Sequence, residues 1–347
     1  MSDTPKEFRF RSFQPGDEPQ ILALFEQTFH KPLRASHWAW KFRDNPSGRT
    51  YVYLAFDGDR CIGQLAMFAI SLHAWGRQVD ALIAVDNMVH PDYQGKGVLR
   101  QLEALANADR PAHLPFLGFA NHNSFHAYTQ RFGYTFLGKI SVAFKPATLA
   151  HLRTRGLHWR VAAPFAGAYR RLYALRGPSV DLVPFDRFGE RTDDVWERSK
   201  AAYGFTSTRT SEYLNWRFDA SQFPYEKYEV VLDGSCIGFV VVHLQERFGS
   251  QMCWIMDAFL DPLHSKQWFG AAIAAVEEAV KDRCDWISLL PPTAEHAAIM
   301  RSRGYRSVPE RLLPHPFYFI VRRNQFPDAR ILDKRNWYLT WSLHDVV

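Results

Sequence analysis

An internal repeat limits the possible folds of this 347-residue chain more than any other feature. Four short blocks occur twice, in the same order. They are centred on Trp40 and Trp216, Cys61 and Cys236, Asp86 and Asp257, and Gly133 and Gly304, and the paired positions lie 176, 175, 171 and 171 residues apart. A nearly constant separation over four blocks predicts two copies of one domain.

The spacing of apolar residues predicts that each copy alternates strands with helices. The first copy has a predicted helix over 19–30, and then a hairpin whose strands, 51–56 and 61–72, flank the turn Asp57-Gly58. Its other predicted strands are 81–89, 114–120 and 135–144, and its other helices are 98–109 and 124–131. In the second copy we expect strands over 226–232, 236–244, 254–260, 286–289 and 316–321, helices over 196–202, 269–280 and 295–302, and a last strand over 337–347.

The predicted fold class is α/β of the mixed α+β kind, with two domains that each contain a mixed, mostly antiparallel sheet flanked by helices. Residues 1–145 form the first predicted domain and residues 181–347 the second. Residues 146–180 form a basic helical connector between them.

The connector concentrates the positive charge of the chain. Six arginines and no acidic residue lie between Pro146 and Val180, and the whole chain has a net charge of +6. A nucleic-acid-binding protein usually spreads its basic residues over one face of a domain, so this distribution argues against a nucleic acid partner. Phe165, Tyr169 and Leu172 follow helical spacing and predict a linker helix that packs on one of the domains. Peripheral contact of this basic helix with an anionic membrane is the second interpretation.

Three further observations bear on the compartment. The amino terminus has no apolar run after its basic residues, which argues against a signal peptide. No stretch reaches the roughly 18 apolar residues that a membrane span requires. The four cysteines are scattered without metal-ligand spacing, so we expect free thiols and no metal. Together these observations predict a cytoplasmic protein.

The residues that predict a ligand follow the strand 81–89. Gln94-Gly95-Lys96-Gly97 lies between that strand and the helix 98–109. Such a loop presents backbone N–H groups at the positive end of a helix dipole, and glycines let the backbone approach an anion closely. Lys96 and Arg100 add positive charge. The pattern indicates a pyrophosphate site, and it is neither a Walker loop nor a Rossmann fingerprint.

These residues resemble the acyl-CoA-binding motif of the GNAT superfamily, Q/R-x-x-G-x-G/A, except that Leu99 replaces the small last residue. A second block, from the strand 114–120 through Asn121 to Gly133-Tyr134, resembles the second GNAT motif. The resemblance implies that acetyl-CoA or another acyl-CoA binds to the first copy, with its pantetheine arm along the end of the strand 81–89. The implied cofactor-binding residues are Met88, Val89, Gln94, Gly95, Lys96, Gly97, Val98, Leu99, Arg100 and Asn123.

The resemblance also implies a reaction, the transfer of an acyl group from acyl-CoA to a small-molecule amine. Tyr128 would be the acid that protonates the departing thiolate, and Asp86 would be the base that takes a proton from the amine. Two structural roles compete with these assignments. Tyr128 could pack in its helix, and Asp86 could be structural because Asp257 matches it in the copy without the loop. The weaker candidates near the expected thioester are His90, His122 and His126.

The second copy has Leu263–Trp268 where the first has its glycine loop. The absence of glycine predicts a single acyl-CoA site in the chain. A weaker resemblance to GNAT-domain proteins found among bacterial surface-polysaccharide genes suggests an amino sugar as the acceptor. Two alternatives remain open: a non-catalytic acyl-CoA-binding or sensing module, and an aminoacyl-tRNA-using transferase of similar fold. The sequence indicates neither the oligomeric state nor the acyl chain length.

Overall fold

A computed structural model describes residues 7–147, 173, 179–219, 223–247, 249–307 and 317–343. The predicted connector at 146–180, with its arginines and its apolar face, lies almost wholly outside these described residues. The chain forms two compact units. The first comprises Met1–Ser71, Val79–Gly138 and Phe317–Leu332, and the second comprises Leu72–Gln78, Lys139–Pro316 and Asp333–Val347. Neither unit is continuous in sequence.

The first unit contains a mixed sheet, and we number strands and helices along the whole chain. Its strands are β1 (Arg9–Ser12), β2 (Thr50–Asp57), β3 (Arg60–Ala74), β4 (Arg77–Val89), β5 (Phe116–Ala120), β6 (Thr135–Lys139) and, from the end of the chain, β15 (Tyr318–Arg322). Their order in the sheet is β1-β2-β3-β4-β5-β15-β6. The helices of this unit are α1 (Glu18–Phe29), α2 (Ala35–Phe42), α3 (Val98–Asp109) and α4 (His122–Gln130).

The hairpin of β2 and β3 forms where the sequence predicts it, and α3 packs against it. Gly58 has a φ of 59°, the left-handed conformation that a tight turn needs and that glycine adopts without strain. Val98 and Leu102 of α3 share one apolar cluster with β3. A Cβ at Gly63 of β3 would lie only 2.7 Å from Val98, so the missing side chain lets α3 approach the sheet closely. This contact fixes the start of α3.

The second unit repeats this arrangement with its own mixed sheet. Its strands are β7 (Ala143–Pro146), β8 (Asp181–Phe185), β9 (Thr206–Ser207), β10 (Tyr225–Leu232), β11 (Ser235–Arg247), β12 (Ser250–Leu260), β13 (Trp286–Leu289) and β14 (Arg306–Ser307), and its helices are α5 (Glu190–Ser199), α6 (Ser211–Phe218), α7 (Pro262–Val280) and α8 (Ala294–Ser302). The order is β14-β7-β13-β12-β11-β10-β8, while β9 pairs with residues 72 and 73 at the end of β3. Two mixed sheets flanked by helices confirm the predicted fold class.

One strand of each sheet comes from the other half of the chain. β15 pairs antiparallel with β5 over five residue pairs, from Tyr318 opposite Ala120 to Arg322 opposite Phe116. In the second unit β7 lies next to β13. The prediction of a single strand over 135–144 was therefore wrong, because this segment forms β6 and β7 in two different sheets. Residues 316–321 do contain a strand, but in the sheet of the first unit. An apolar pattern predicts a strand without naming its partner.

Other differences concern the ends of elements. The predicted strand over 337–347 was wrong: residues 334–336 and 341–343 form 3-10 turns, and Trp337, Tyr338 and Leu339 are buried in succession, whereas a half-buried strand would bury alternate residues. Residues 344–347 lie outside the described part of the chain. The helix expected over 196–202 spans Glu190–Ser199, and α7 begins seven residues before its predicted start at 269. The four cysteines are free thiols, as predicted.

Candidate active site

The two parallel strands at the centre of the first sheet separate along their length. β4 and β5 pair at Leu82 with Phe116, Ile83 with Leu117 and Ala84 with Gly118. The pairing of β4 with β5 ends at Ala84, although β4 itself continues to Val89. On its other side, β5 stays paired to β15. The end of β4, from Val85 to Val89, therefore lies along an opening in the sheet. Backbone groups at such an opening can pair with an extended ligand as they would with another strand.

A glycine loop joins the end of β4 to α3. After a 3-10 turn over Pro91–Tyr93, Gly95 has a φ of 78° and Gly97 a φ of 81°, both in the left-handed region. A Cβ at Gly95 would meet no atom within 4 Å, and one at Gly97 would approach only the Arg100 guanidinium, at 3.7 Å. The space beside both glycines is open, so a ligand could reach the backbone there. The Gln94 side chain donates back to the carbonyl of Val89 at 3.1 Å, which ties the loop to the strand end.

The first turn of α3 has the properties of an anion site. Its N-cap residue is Gly97, which has no side chain to accept hydrogen bonds from the N–H groups of the first turn. Lys96 and Arg100 are exposed beside this turn. Leu99, the residue that departs from the family pattern, packs against two apolar clusters of the first unit. The structure therefore brings the predicted loop residues together around one helix N-terminus.

An irregularity in β4 lies three residues before the strand ends. Asp86 has a φ of 47°, which is uncommon for a residue other than glycine. Two side-chain amides form hydrogen bonds with backbone groups here. Asn87 Oδ1 accepts from the N–H of Ala66 at 2.6 Å, and Gln64 Nε2 donates to the carbonyl of Asp86 at 3.0 Å. Sequence reasoning missed both amides, although an asparagine inside a predicted strand is an unusual residue.

Tyr128 of α4 reaches this irregularity from the other side of the opening. Its hydroxyl accepts a hydrogen bond from Asn87 Nδ2 at 2.5 Å, and the residue is 6% exposed. A capping box of Asn121 and Ser124 fixes the start of α4. Burial raises the pKa of Tyr128 to about 12, and the bond from Asn87 opposes part of that rise. Tyr128 is therefore protonated at neutral pH.

Asp86, the other predicted catalytic residue, is engaged in an ion pair. Lys41 Nζ of α2 lies 2.8 Å from Asp86 Oδ2, and the lysine side chain is 3% exposed. The second unit has a similar pair, in which Arg209 Nε lies 3.0 Å from Asp257 Oδ2 with both side chains buried. β12 also has a register shift beside Asp257. The matching aspartates of the two units are each paired with a buried cation, although Lys41 and Arg209 do not match in the repeat. This shared pairing supports the structural interpretation of Asp86 over a role as base.

The remaining predicted residues are spread around the opening. Met88 is buried and Val89 is half-buried at the end of β4. His90 is also buried, and its Nε2 lies 2.7 Å from the Arg60 guanidinium. The exposed side chains of His122, Asn123 and His126 lie on the first turns of α4.

The corresponding helix of the second unit has a different N-terminus. α7 follows β12 and begins at Pro262, with Asp261 as its N-cap. The Asp261 carboxylate accepts from the N–H of His264 at 3.2 Å and lies 3.1 Å from the Arg198 guanidinium. A carboxylate thus caps this helix N-terminus, and it would repel an anion there. Leu263–Trp268, which contains no glycine, forms the first turns of this capped helix.

A separating pair of parallel strands, followed by a glycine loop at a helix N-terminus, agrees with the family comparison. The sequence model described as the acetyltransferase (GNAT) domain matches residues 9–136. These residues include β1 to β5 and the start of β6, but neither β15 nor β9, which pairs with the end of β3. The first unit thus contains a GNAT domain, and the second mixed sheet gives the chain a tandem GNAT-like arrangement. No curated protein matches the chain in sequence.

Solved structures share this fold at low sequence identity. A probable N-acyltransferase from Enterococcus faecalis V583 has a TM-score of 0.63 at 11% identity, over 92% of this chain and 73% of that one. A tandem GNAT protein from the clavulanic acid biosynthesis pathway has a TM-score of 0.58 at 13% identity, over 93% of this chain and 100% of that one. The Saccharomyces cerevisiae N-myristoyltransferase with bound myristoyl-CoA has a TM-score of 0.58 at 11% identity, over 93% and 85%. These matches define the fold.

Within the ranges that the structure describes, no helix is long and apolar enough to cross a membrane.

Proposed function

We propose that the protein is an acyl-CoA-dependent N-acyltransferase that moves an acetyl group from acetyl-CoA to a small amine, such as an amino sugar. The observation that carries this proposal is the opening between β4 and β5 beside a loop with two left-handed glycines and an uncapped helix N-terminus. An acyl-CoA has an extended arm and a pyrophosphate, which are the two groups that these features fit.

The proposed binding mode assigns a part of the cofactor to each element. The pyrophosphate lies on the loop Gly95–Gly97 and the first turn of α3, with Lys96 and Arg100 beside it. The pantetheine arm lies along Met88 and Val89, in place of a neighbouring strand. The thioester then lies near the irregularity at Asp86, within reach of the Tyr128 hydroxyl. Asn123, at the exposed start of α4, lies at the rim of this site.

The chemistry requires one proton donor at sulfur. The amine nitrogen attacks the carbonyl carbon of the thioester, a C–N bond forms, and the C–S bond breaks with its electron pair on sulfur. Tyr128 donates its hydroxyl proton to that sulfur, the nitrogen loses its extra proton to water, and water returns a proton to the Tyr128 oxygen. Asp86 does not act as the base in this scheme because its carboxylate is paired with Lys41. An amine that is neutral when it binds needs no base for the first step.

The second candidate is a non-catalytic module that binds or senses acyl-CoA. The engagement of Asp86 by Lys41 favours it, because this pair removes the predicted base. Both candidates predict acyl-CoA binding, and only the first predicts turnover.

The experiment is a screen of amines, amino sugars included, with acetyl-CoA and detection of the thiol that is released. We expect thiol release that depends on the amine, and a Tyr128→Phe variant whose kcat is lower by about 100-fold while the KM for acetyl-CoA changes little. Acetyl-CoA binding without thiol release for any amine would support the sensing module. Failure to bind acetyl-CoA would refute both candidates.

A further inference from the structure

The hydrogen bonds of Asn87 have a fixed direction. The N–H of Ala66 can only donate, so the Asn87 side chain must turn its oxygen toward Ala66, at 2.6 Å. The amide nitrogen then faces Tyr128 Oη, at 2.5 Å, and it too can only donate. The orientation of this amide, which is often ambiguous, is therefore set by a backbone group of β3.

The consequence for Tyr128 is that its oxygen accepts in this bond and its own hydrogen remains to be donated elsewhere. None of the described residues accepts that hydrogen. Tyr128 is buried, and a buried hydroxyl without an acceptor is costly. A ligand atom that lies in the opening between β4 and β5 and accepts this hydrogen would remove that cost.

We propose that Asn87 is a positioning residue that directs the Tyr128 proton toward the sulfur of CoA. The chain of donors runs from the Ala66 N–H through the Asn87 amide to Tyr128 and ends at sulfur. This inference rests on the proposed function. When the C–S bond breaks, the proton moves from Tyr128 Oη to sulfur, and the Asn87 N–H remains as a donor to the phenolate oxygen. Asn87 thus acts before and after proton transfer, without touching the substrate.

The first test reverses the direction of the bond. Asn87→Asp keeps the shape of the side chain but offers only acceptors, so the Tyr128 hydroxyl donates to the new carboxylate instead of to sulfur. We expect kcat to fall by about 100-fold, close to the effect of Tyr128→Phe, with an unchanged KM for acetyl-CoA. A kcat within about threefold of the wild type, in an enzyme that Tyr128→Phe inactivates, would overturn the inference and leave the proposed function standing.

The second test asks whether Asn87 acts through Tyr128. Asn87→Ala removes the donor without adding charge, and we expect it to lower kcat in the wild-type background but hardly at all in the Tyr128→Phe background. A matched control is Gln20→Met, which removes another side-chain amide whose oxygen accepts from a backbone N–H of β3, that of Cys61 at 3.1 Å. Its kcat should stay near the wild-type value even if its unfolding midpoint falls. Equal losses of kcat for Asn87→Ala in both backgrounds would show a purely structural role.

A third readout needs no acceptor amine. A hydrogen bond from Tyr128 should lower the pKa of the thiol of bound CoA relative to free CoA, because it stabilises the thiolate. The ultraviolet absorbance of the thiolate follows this titration in the complex. We expect Asn87→Asp to raise the thiol pKa and Gln20→Met to leave it unchanged. An identical thiol pKa in wild type and Asn87→Asp would overturn the inference, whereas a protein that does not bind CoA at all would instead refute the proposed function.

Discussion

The glycine loop allows a sharp test, because a substitution there should separate binding from stability. Gly97→Asp places a Cβ in open space, where the nearest atom of the protein is 3.7 Å away. The strain of a non-glycine residue at a φ of 81° is about 1–2 kcal/mol, which lowers the unfolding midpoint of a unit of this size by a few degrees, at about 2–4 °C per kcal/mol. The fold should therefore survive the substitution.

The effect on binding should be much larger. A carboxylate about 5 Å from one phosphate charge costs about 3 kcal/mol at an effective dielectric constant of about 20, and CoA has two such charges in its pyrophosphate. This energy corresponds to a loss of at least about 100-fold in affinity. The side chain would also occupy the open space beside the loop.

The assay is isothermal titration of acetyl-CoA into wild type and Gly97→Asp, with thermal unfolding measured on the same samples. The matched control is Gly48→Asp. Gly48 is in the same unit, has a φ of 64° and also has no atom within 4 Å of a built Cβ, but it is outside the loop. We expect both variants to lose similar stability and only Gly97→Asp to lose binding. Unchanged affinity in a folded Gly97→Asp variant would refute the pyrophosphate site.

Three other predictions follow from the two units. Titration should show one acetyl-CoA per chain, because Asp261 caps α7 with a carboxylate; two equivalent sites would contradict this assignment. The second unit should lose stability as the pH falls from about 6.5 toward 4, because burial lowers the pKa of His296 to about 4 and the unfolded chain therefore binds a proton that the folded unit excludes. The pKa values of His73 and His243 are lowered in the same direction, and calorimetry should show a flatter pH dependence for His296→Asn. Finally, a fragment of residues 1–145 should fail to give a stable CoA-binding domain, because it lacks the buried strand β15, and a fused segment 317–332 should restore it; a stable fragment that binds CoA would show that β15 is dispensable.

Local patterns in the sequence were sufficient for much of the fold. The repeat predicted two sheets, α3 starts and ends at the predicted residues, and the glycine loop lies where strand and helix were expected to meet. These features depend on residues close to one another in sequence. β7 pairs in the second sheet and β15 in the first, and these pairings depend on contacts between segments that are far apart in sequence. A local apolar pattern does not determine which segments pair.

The candidate site shows the same division. Gly95 and Gly97 were predicted from their own spacing, and the structure gives both the left-handed conformation that requires glycine. The partners of Asp86 and Tyr128 were not predicted, because Lys41 and Asn87 lie 45 and 41 residues from them in sequence. The assignment of Asp86 as a base illustrates the consequence: the residue type fitted the chemistry, but its ion pair became visible only in three dimensions.

The position of β15 in the chain also has a consequence for synthesis on the ribosome. The first unit cannot complete its sheet until residues 317–322 have emerged, although its glycine loop is made more than 200 residues earlier. At about 5–20 residues per second, the edge of β5 waits roughly 10–40 s for its partner. β7 is translated during that time, but its final place is in the second sheet. The nascent chain must therefore keep the unpaired edge of β5 from pairing with β7 or with another exposed strand. Cells that make this protein would therefore gain from a chaperone that covers the first half until translation ends.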